Sequence, residues 1–334
     1  MTFACIAAII SAFIFARPLI QDQPDPDIVL AKTSSTTLFF AGDIMLARGV
    51  ESKISESGEN ANLPFKDVAA QISKADISFA NLESAFYNKP SFSHNNLVFS
   101  AEPKFISGIN NAGFDILSTA NNHTFDRGEA GLDFTYNWLN QNGILPIGTQ
   151  LSCHEGQIIT RNNIKFGFLG YSYTAMNDGG VITNPKVCDA NDLTQVTEDI
   201  QNLRWKVDFL IVSVHMGEEY TRSPNEFGVK FAHNAVNSGA DLLIGHHPHW
   251  IQKIERYKNK WIFYSLGNFV FDQNWSQDTK EGLTVEVNFK GKDLNKIELK
   301  PVIIENYCCP RFADENETKS ILEKLDLTNP VIFE

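Results

Sequence analysis

The chain has 334 residues, of which 43% are hydrophobic and 25 are Phe, and it carries a net charge of −12. That apolar content fills a sizeable core and excludes global disorder. Lys and Arg are spread rather than clustered, so no nucleic-acid partner is expected, and an anionic ligand would need a local device such as a metal ion.

Residues 2–16, TFACIAAIISAFIFA, form the one long charge-free apolar run. It falls short of the roughly 20 residues that cross a bilayer as a helix. Residues 1–20 read as a signal peptide or a membrane anchor, although a basic leading region is missing, and the polar stretch 21–35 reads as a linker. On this reading the protein is exported, either anchored to the cell membrane or periplasmic, and the apolar run packs little against the rest. The alternative is an N-terminal helix buried in the main domain. That domain is expected over 36–305, with 306–334 as a C-terminal extension.

Taken in chain order, TTLFFAGDIM (36–45) predicts a buried strand ending in a Gly-Asp turn, 65–75 a helix, and DISFANLES (76–84) a second strand. A helix over 103–113, a strand over 114–123 and a helix over 128–142 follow, then GILPIG and a short strand. Then come a strand over 163–173, a helix near 192–205, a strand over 207–217, a helix over 225–239 and a strand over 240–249. WIFYSLGNFVFD (261–272) reads as one further strand. Alternation over 282–303 about Gly291 predicts an antiparallel hairpin, and 315–326 a last helix. Alternating strands and helices of this kind give an α/β sheet with helices on both faces. Cys153 and Cys188 either bridge, in an oxidising compartment, or remain thiols, since spacing does not fix pairing. Cys308 and Cys309 are adjacent.

Asp43, Glu83, Asn122, His123, His215, His247 and His249 all fall just past apolar strand runs. Ligands of open α/β sheets bind outside the carboxyl ends of strands, so the pattern collects these residues along one edge. Singly, a strand-end carboxylate such as Asp43 or Glu83 is an ordinary loop residue, and a lone His215 is more often structural. GHHPHW (245–250) differs: three histidines in four positions, with Pro248 among them, are hard to explain by packing, and imidazole is the commonest metal ligand. In ANNHTFD (120–126), Asn122 offers an amide oxygen, His123 can donate a proton and Asp126 stands three residues on. The competing reading there is an Asn-rich turn with local backbone bonds. Asp43, Glu83, Asn122, His215, His247 and His249 together offer enough O and N donors for one divalent ion, or for two sharing a carboxylate. With no Cys in the set, Mn, Fe or Zn is expected rather than soft copper.

In order, GDIMLAR, NLES, ANNHTFDRG, HMGEEY, GHHPH and SLGNFVFDQ resemble the bacterial CapA family of poly-γ-glutamate capsule synthesis proteins, over about residues 36–275. That family is related to the calcineurin-like metallophosphoesterases. The resemblance implies an α/β, metallophosphoesterase-like (calcineurin-like) sandwich of mixed β-sheets flanked by helices. It places Asp43 as the first-block aspartate, Glu83 where a bridging Asp is usual, Asn122 and His123 as the Asn-His pair, and His215, His247 and His249 as later ligands. His246 fits less well, because the motif reads G-x-H-P-H. The phosphoesterases have Asp-x-His in the first block where this chain has Met45, and a thioether is a poor ligand for a hard ion. That departure counts against two-metal phosphodiester hydrolysis.

The function implied is synthesis, export or anchoring of poly-γ-glutamate or a related anionic envelope polymer, by metal-assisted hydrolysis or transfer. His123 would be the general acid, oriented by Asp126. Arg48 and Arg127 are candidates for holding substrate carboxylates, and Glu219, Tyr220, Asn268, Asp272 and Gln273 for other substrate contacts. The polymer and membrane-embedded synthase subunits are the expected partners. The alternatives are a non-catalytic polymer-binding or scaffold subunit and a phosphodiesterase-like metallohydrolase.

Overall fold

The computed structural model describes residues 35–88, 98–173 and 186–333. The apolar run 2–16 and most of the linker lie outside the described residues. No helix among those described is long and apolar enough to cross a membrane. Ser34–Glu334 forms one compact unit.

Its strands, in chain order, are β1 (Ser35–Ile44), β2 (Ile77–Leu82), the short pair β3 (Ala85–Phe86) and β4 (Ser100–Ala101), β5 (Ile116–Ser118), β6 (Leu145–Ile147), β7 (Gln157–Arg161), β8 (Ile164–Ser172), β9 (Phe209–His215), β10 (Leu242–His246), β11 (Ile254–Tyr257), β12 (Lys260–Phe263), β13 (Asn268–Val270), β14 (Glu281–Lys290), β15 (Asp293–Glu305), β16 (Cys309–Phe312) and β17 (Val331–Phe333). One sheet runs β16-β15-β14-β1-β2-β5-β6, with β13 beside β1 and β17 beside β15. Its β1, β2, β5, β6 and β13 are parallel, and β14 to β17 are antiparallel. The second sheet runs β11-β12-β10-β9-β8-β7, with a parallel centre and an antiparallel strand at each edge.

Side chains alternate across a strand, and here both faces are apolar, as sheets covered on both sides require. Leu38 and Phe40 of β1 and Phe79 of β2 join Phe166, Phe168, Ile211 and Ile244 of the second sheet in a core between the sheets. Phe39, Ala41, Ala80 and Leu82 face the other way, onto Val50 and Ile54 of the helix Arg48–Glu56 and onto Ile106 and Ile109 of the helix Ile106–Ala112. Beyond the second sheet, Leu210, Val212 and Leu243 pack on Val196 and Ile200 of the helix Leu193–Arg204 and on Phe231 and Ala235 of the helix Glu226–Ser238. The result is the α/β sandwich of mixed sheets flanked by helices that the family resemblance implies, and it corrects the expectation of helices on both faces of a sheet, because each sheet turns one face to the other sheet and one to helices.

Several local expectations are corrected. Asp43 is not in a turn beyond β1 but inside the strand, where the pairing slips between Phe40 and Asp43 against β2 and between Asp43 and Ile44 against β13. Such bulges re-aim a side chain. The apolar run 261–272 is two strands in different sheets. The chain leaves the second sheet after Phe263 and enters the first at Asn268, turning at Gly267 with φ +68°. The helix expected over 65–75 shrinks to a 3-10 turn at Leu63–Phe65 and one helical turn at Ala69–Ile72. The strand over 114–123 stops at Ser118, and the polar run beyond it is a turn closed by Thr124 Oγ1 donating to Thr119 O (2.7 Å). The helix Arg48–Glu56 and the hairpin strand β7 were not anticipated.

Cys153 is disulfide-bonded to Cys188, 35 residues away, and Cys308 to Cys309. Closing a loop of that length contributes about 3–4 kcal/mol on the chain-entropy account.

The crossing of the two sheets depends on one close approach. A Cβ added to Gly42 would lie 2.0 Å from the Gly267 carbonyl oxygen. Gly42→Ala should therefore lower the unfolding free energy by about 1–3 kcal/mol, the usual penalty of overpacking, and the urea midpoint with it. A midpoint equal to wild type in urea melts would mean that β1 and the Gly267 turn do not meet.

Candidate metal centre

Every candidate ligand is delivered by the carboxyl end of a strand. Asp43 sits in the bulge of β1. Glu83 follows β2, held by its backbone N–H to Ile44 O (2.8 Å). Asn122 and His123 lie in the turn after β5, and His215 ends β9. His246 ends β10, and His247 and His249 lie beyond it with φ of +99° and +57°. Left-handed backbone at a non-glycine residue carries strain of the order of 1–3 kcal/mol and clusters at functional sites. Arg48 (φ +51°) and Tyr220 (φ +61°) share it.

Oxygen and nitrogen atoms of Glu83, His215 and His247 lie within 4.8 Å of one another, as do those of Asp43, Glu83 and His249. Glu83 belongs to both groups. Asn122 Oδ1 is 2.9 Å from His215 Nε2, and His123 Nε2 is 3.8 Å from Glu83 Oε1. Thus Asp43, Glu83, Asn122, His123, His215, His247 and His249 are brought together in one place. Asp126 lies behind His123, its Oδ2 2.7 Å from Nδ1. That oxygen also accepts the Phe99 N–H, and the Phe99 ring stacks on the imidazole at 3.6 Å.

Three further residues belong to the centre. Asn81 donates to Asp43 Oδ1 (2.9 Å) and stands 3.3 Å from His215 Nδ1. Asn121 donates to Asn81 Oδ1 (3.2 Å) and Leu82 O (2.8 Å), fixing the turn that carries Asn122. His246, fully buried, places Nδ1 3.1 Å from Asp43 Oδ1. The sequence signal for Asn81 was available: an amide inside the otherwise apolar run ISFANL.

The expected substrate contacts are distributed differently. Asn268 Oδ1 is 2.9 Å from His249 Nδ1, and its amide donates to Gln273 Oε1 (3.1 Å). Gln273 in turn donates to the Tyr220 hydroxyl (3.3 Å). Asp272 is ion-paired with Arg48 and accepts the Gly49 N–H (2.9 Å). The Arg48 guanidinium also lies over the Phe99 ring, so both side chains brace the site. Glu219 is exposed at the rim. Among the described residues no hydrogen bond or ion pair joins Arg127 to this cluster, and the fully buried Met45 has its sulfur against the Ala47 N–H (3.1 Å).

The donors fit a divalent cation. Glu83 is fully buried, and neither carboxylate oxygen has a hydrogen-bond partner. Burial, then the Asp43 and Glu219 charges, push its pKa well above the usual carboxylate range. An isolated buried carboxylate is costly, and a cation between Glu83 and the histidines removes that cost. Burial would also raise Asp43, but His246 and then His249 outweigh it and hold it below its usual value. Burial, then the neighbouring imidazoles, keeps His215 far below the ordinary histidine range. Neutral imidazoles are the form that ligates.

Residues 37–273 match the family model described as bacterial capsule synthesis protein PGA_cap. The chain belongs to that family. Among curated relatives, this PGA_cap chain is 28% identical over 284 residues to the capsule biosynthesis protein CapA of Bacillus anthracis, covering 80% of this chain and 67% of that one. It is 29% identical over 294 residues to the PGA biosynthesis protein CapA of Bacillus subtilis (strain 168), covering 86% and 76%. Among solved structures, the NAD nucleotidase of Haemophilus influenzae aligns with a TM-score of 0.49 at 11% identity, over 89% of this chain and 63% of that one.

The buried charges make opposite contributions to stability. Burial first, opposed by Asp43, lowers His247 and His249 from 6.5 to about 4. Between those values the unfolded chain binds protons that the folded chain does not, so stability falls as pH drops from about 6.5 to about 4. Glu83 has a raised folded pKa, so its contribution is present below 4.5 and is lost as pH rises through the folded value. Glu83→Gln should therefore raise the melting temperature of the metal-free PGA_cap protein at pH 8, while abolishing the further rise that added metal produces. A metal-free melting temperature that drops at pH 8 would show that Glu83 is compensated by protein groups alone.

Proposed function

We propose that this protein acts in assembling, exporting or anchoring poly-γ-glutamate or a related anionic polymer of the cell envelope, as a metal-dependent hydrolase or transferase. The observation that carries this reading is the buried Glu83 carboxylate, which accepts no hydrogen bond, is shared by two donor groups and is bordered by the His123–Asp126 pair. Membership of the PGA_cap family and the names of its Bacillus relatives supply the polymer class.

Asp43, Glu83, Asn122, His215, His247 and His249 would hold the ion, Mn, Fe or Zn, with Glu83 placed to serve two adjacent positions. Bound there, a divalent ion supplies Lewis acidity toward a substrate oxygen. Asp126 accepts from His123 Nδ1, which leaves Nε2 directed to the centre to deliver a proton to a leaving group. Phe99 on one face of the imidazole prevents it from turning away.

The apolar run 2–16 supports export, and two disulfides suit an oxidising compartment. A membrane-anchored or periplasmic protein would meet both the polymer and the membrane-embedded synthase subunits that make it.

The purified protein should carry a stoichiometric divalent ion by mass spectrometry of the metal, and His247→Ala should lose most of it. His123→Ala should keep the metal while turnover of γ-glutamyl polymer falls by about 10²–10⁴, the usual contribution of a general acid. Polymer turnover or a capsule phenotype surviving His123→Ala intact would assign the protein to a scaffold instead. A native protein without metal would end both versions.

A further inference from the structure

Tyr220 connects the metal centre to the surface. Its ring faces His249 (centroids 6.0 Å apart, planes at 28°) and meets the rings of Trp250 at 6.4 Å and Trp275 at 5.9 Å edge-on. Trp275 is 65% exposed. The same polar chain that positions His249 positions this wall, running from His249 through Asn268 and Gln273 to the Tyr220 hydroxyl. The Tyr220 N–H donates to Pro248 O (2.8 Å), which fixes its left-handed backbone.

The charges around the wall are already matched or have the wrong sign for an anionic ligand. Arg222 lies over Trp250 and is ion-paired with Asp278, and Arg48 is ion-paired with Asp272. Glu218 and Glu219 are exposed beside Tyr220. Carboxylates of a ligand would therefore be drawn to a divalent ion held at the centre and to solvent, and the wall itself offers flat apolar surface. Large exposed aromatic rings gain most from covering apolar or planar groups.

We infer that Tyr220, Trp250 and Trp275 form a substrate subsite that packs the uncharged amide-and-methylene backbone of a carboxylate-bearing polyamide, next to the residue engaged at the metal centre. This rests on the polymer class proposed above. A γ-linked glutamyl chain suits such a wall, because each residue presents a methylene stretch and a planar amide in its backbone and carries its carboxylate to the side. Neighbouring carboxylates then point away from Glu218 and Glu219 while one residue reaches the centre. The wall thus recognises the linkage and spacing of the chain rather than its charge.

The test is calorimetric titration of the full-length, metal-loaded protein with a synthetic γ-glutamyl oligomer and with a neutral glycan oligomer, with metal content measured in parallel. Trp275→Ala should weaken oligomer binding about 5- to 20-fold, with unchanged metal content, and Trp275→Phe should recover most of the loss. The loss should persist at high salt, where recognition by exposed ion pairs is screened. Wild-type affinity in Trp275→Ala would overturn the subsite while leaving the polymer class standing. Wild-type protein that ignores the γ-glutamyl oligomer but binds the glycan, in a manner sensitive to Trp275→Ala, would overturn the polymer class and with it this occupant. Binding of neither ligand would likewise remove both.

Discussion

Two carboxylates in a dry interior constrain everything around them. Asp43 and Glu83 are both fully buried, and a buried carboxylate must be matched by hydrogen bonds, by opposite charge or by protonation. The protein answers these demands unequally. Asp43 takes the Asn81 amide, the His247 backbone N–H and a close His246 ring. Glu83 receives no hydrogen bond, although His123 and His215 both approach it to within 3.9 Å. A purely structural pair would be satisfied on both sides. The asymmetry leaves one side of the centre open to a cation, at the expense of stability in the metal-free protein.

The backbone around the pair follows from that demand. Asp43 is flanked in register by Asn81 on β2 and by Asn268 on β13, so an asparagine stands on each neighbouring strand. One binds Asp43 itself and the other binds His249. Reaching this arrangement requires the slip in β1 and the close pass of Gly42 against Gly267. It also requires His247 and His249 to hold left-handed backbone on either side of Pro248. Strain of this kind persists only where surrounding bonds over-determine it. Here the bonds are those of the ligand set.

Much of this was legible in the sequence because strand ends are legible. Short, β-branched apolar runs such as FLIVSV before His215 and LLIG before His246 mark buried strands by length and composition, and the ordered polar residues beyond them mark a single edge. The sandwich was not legible in the runs themselves, which predict an α/β sheet with helices on both faces; it came with the resemblance of the ordered motifs to the CapA family. What escaped depended on tertiary pairing. WIFYSLGNFVFD is apolar throughout, and no local signal says that β12 and β13 belong to different sheets. Only the crossing puts Asn268 opposite Asp43. His246 fits the ligand motif less well, yet its position at the end of β10, paired with His215, turns it toward Asp43. Arg48 read as a substrate contact, but its pairing with Asp272 joins residues 224 positions apart, beyond the reach of periodicity.

The crossing also explains why the centre has the His123–Asp126 pair on one flank and the Tyr220, Trp250 and Trp275 rings on the other. The first sheet contributes Asp43, Glu83 and the turn bearing His123, and the second contributes His215 and the histidine turn. Asn268 stands where the chain passes between them. His123 is braced from the first sheet's side by Asp126, Phe99 and, over Phe99, Arg48. His249 is braced through Asn268 and Gln273 toward Tyr220 and the surface tryptophan. On the proposed function, a substrate lying across the seam would meet the braced His123 imidazole at one end and the flat aromatic surface at the other. Bond making and breaking needs fixed geometry within a fraction of an ångström, whereas gripping a repetitive chain needs area and tolerance of register. Because His249 and Tyr220 share the chain through Asn268 and Gln273, a change in either amide would reach both the centre and the wall, whereas Trp275 stands at the outer end of that chain, against the Tyr220 ring.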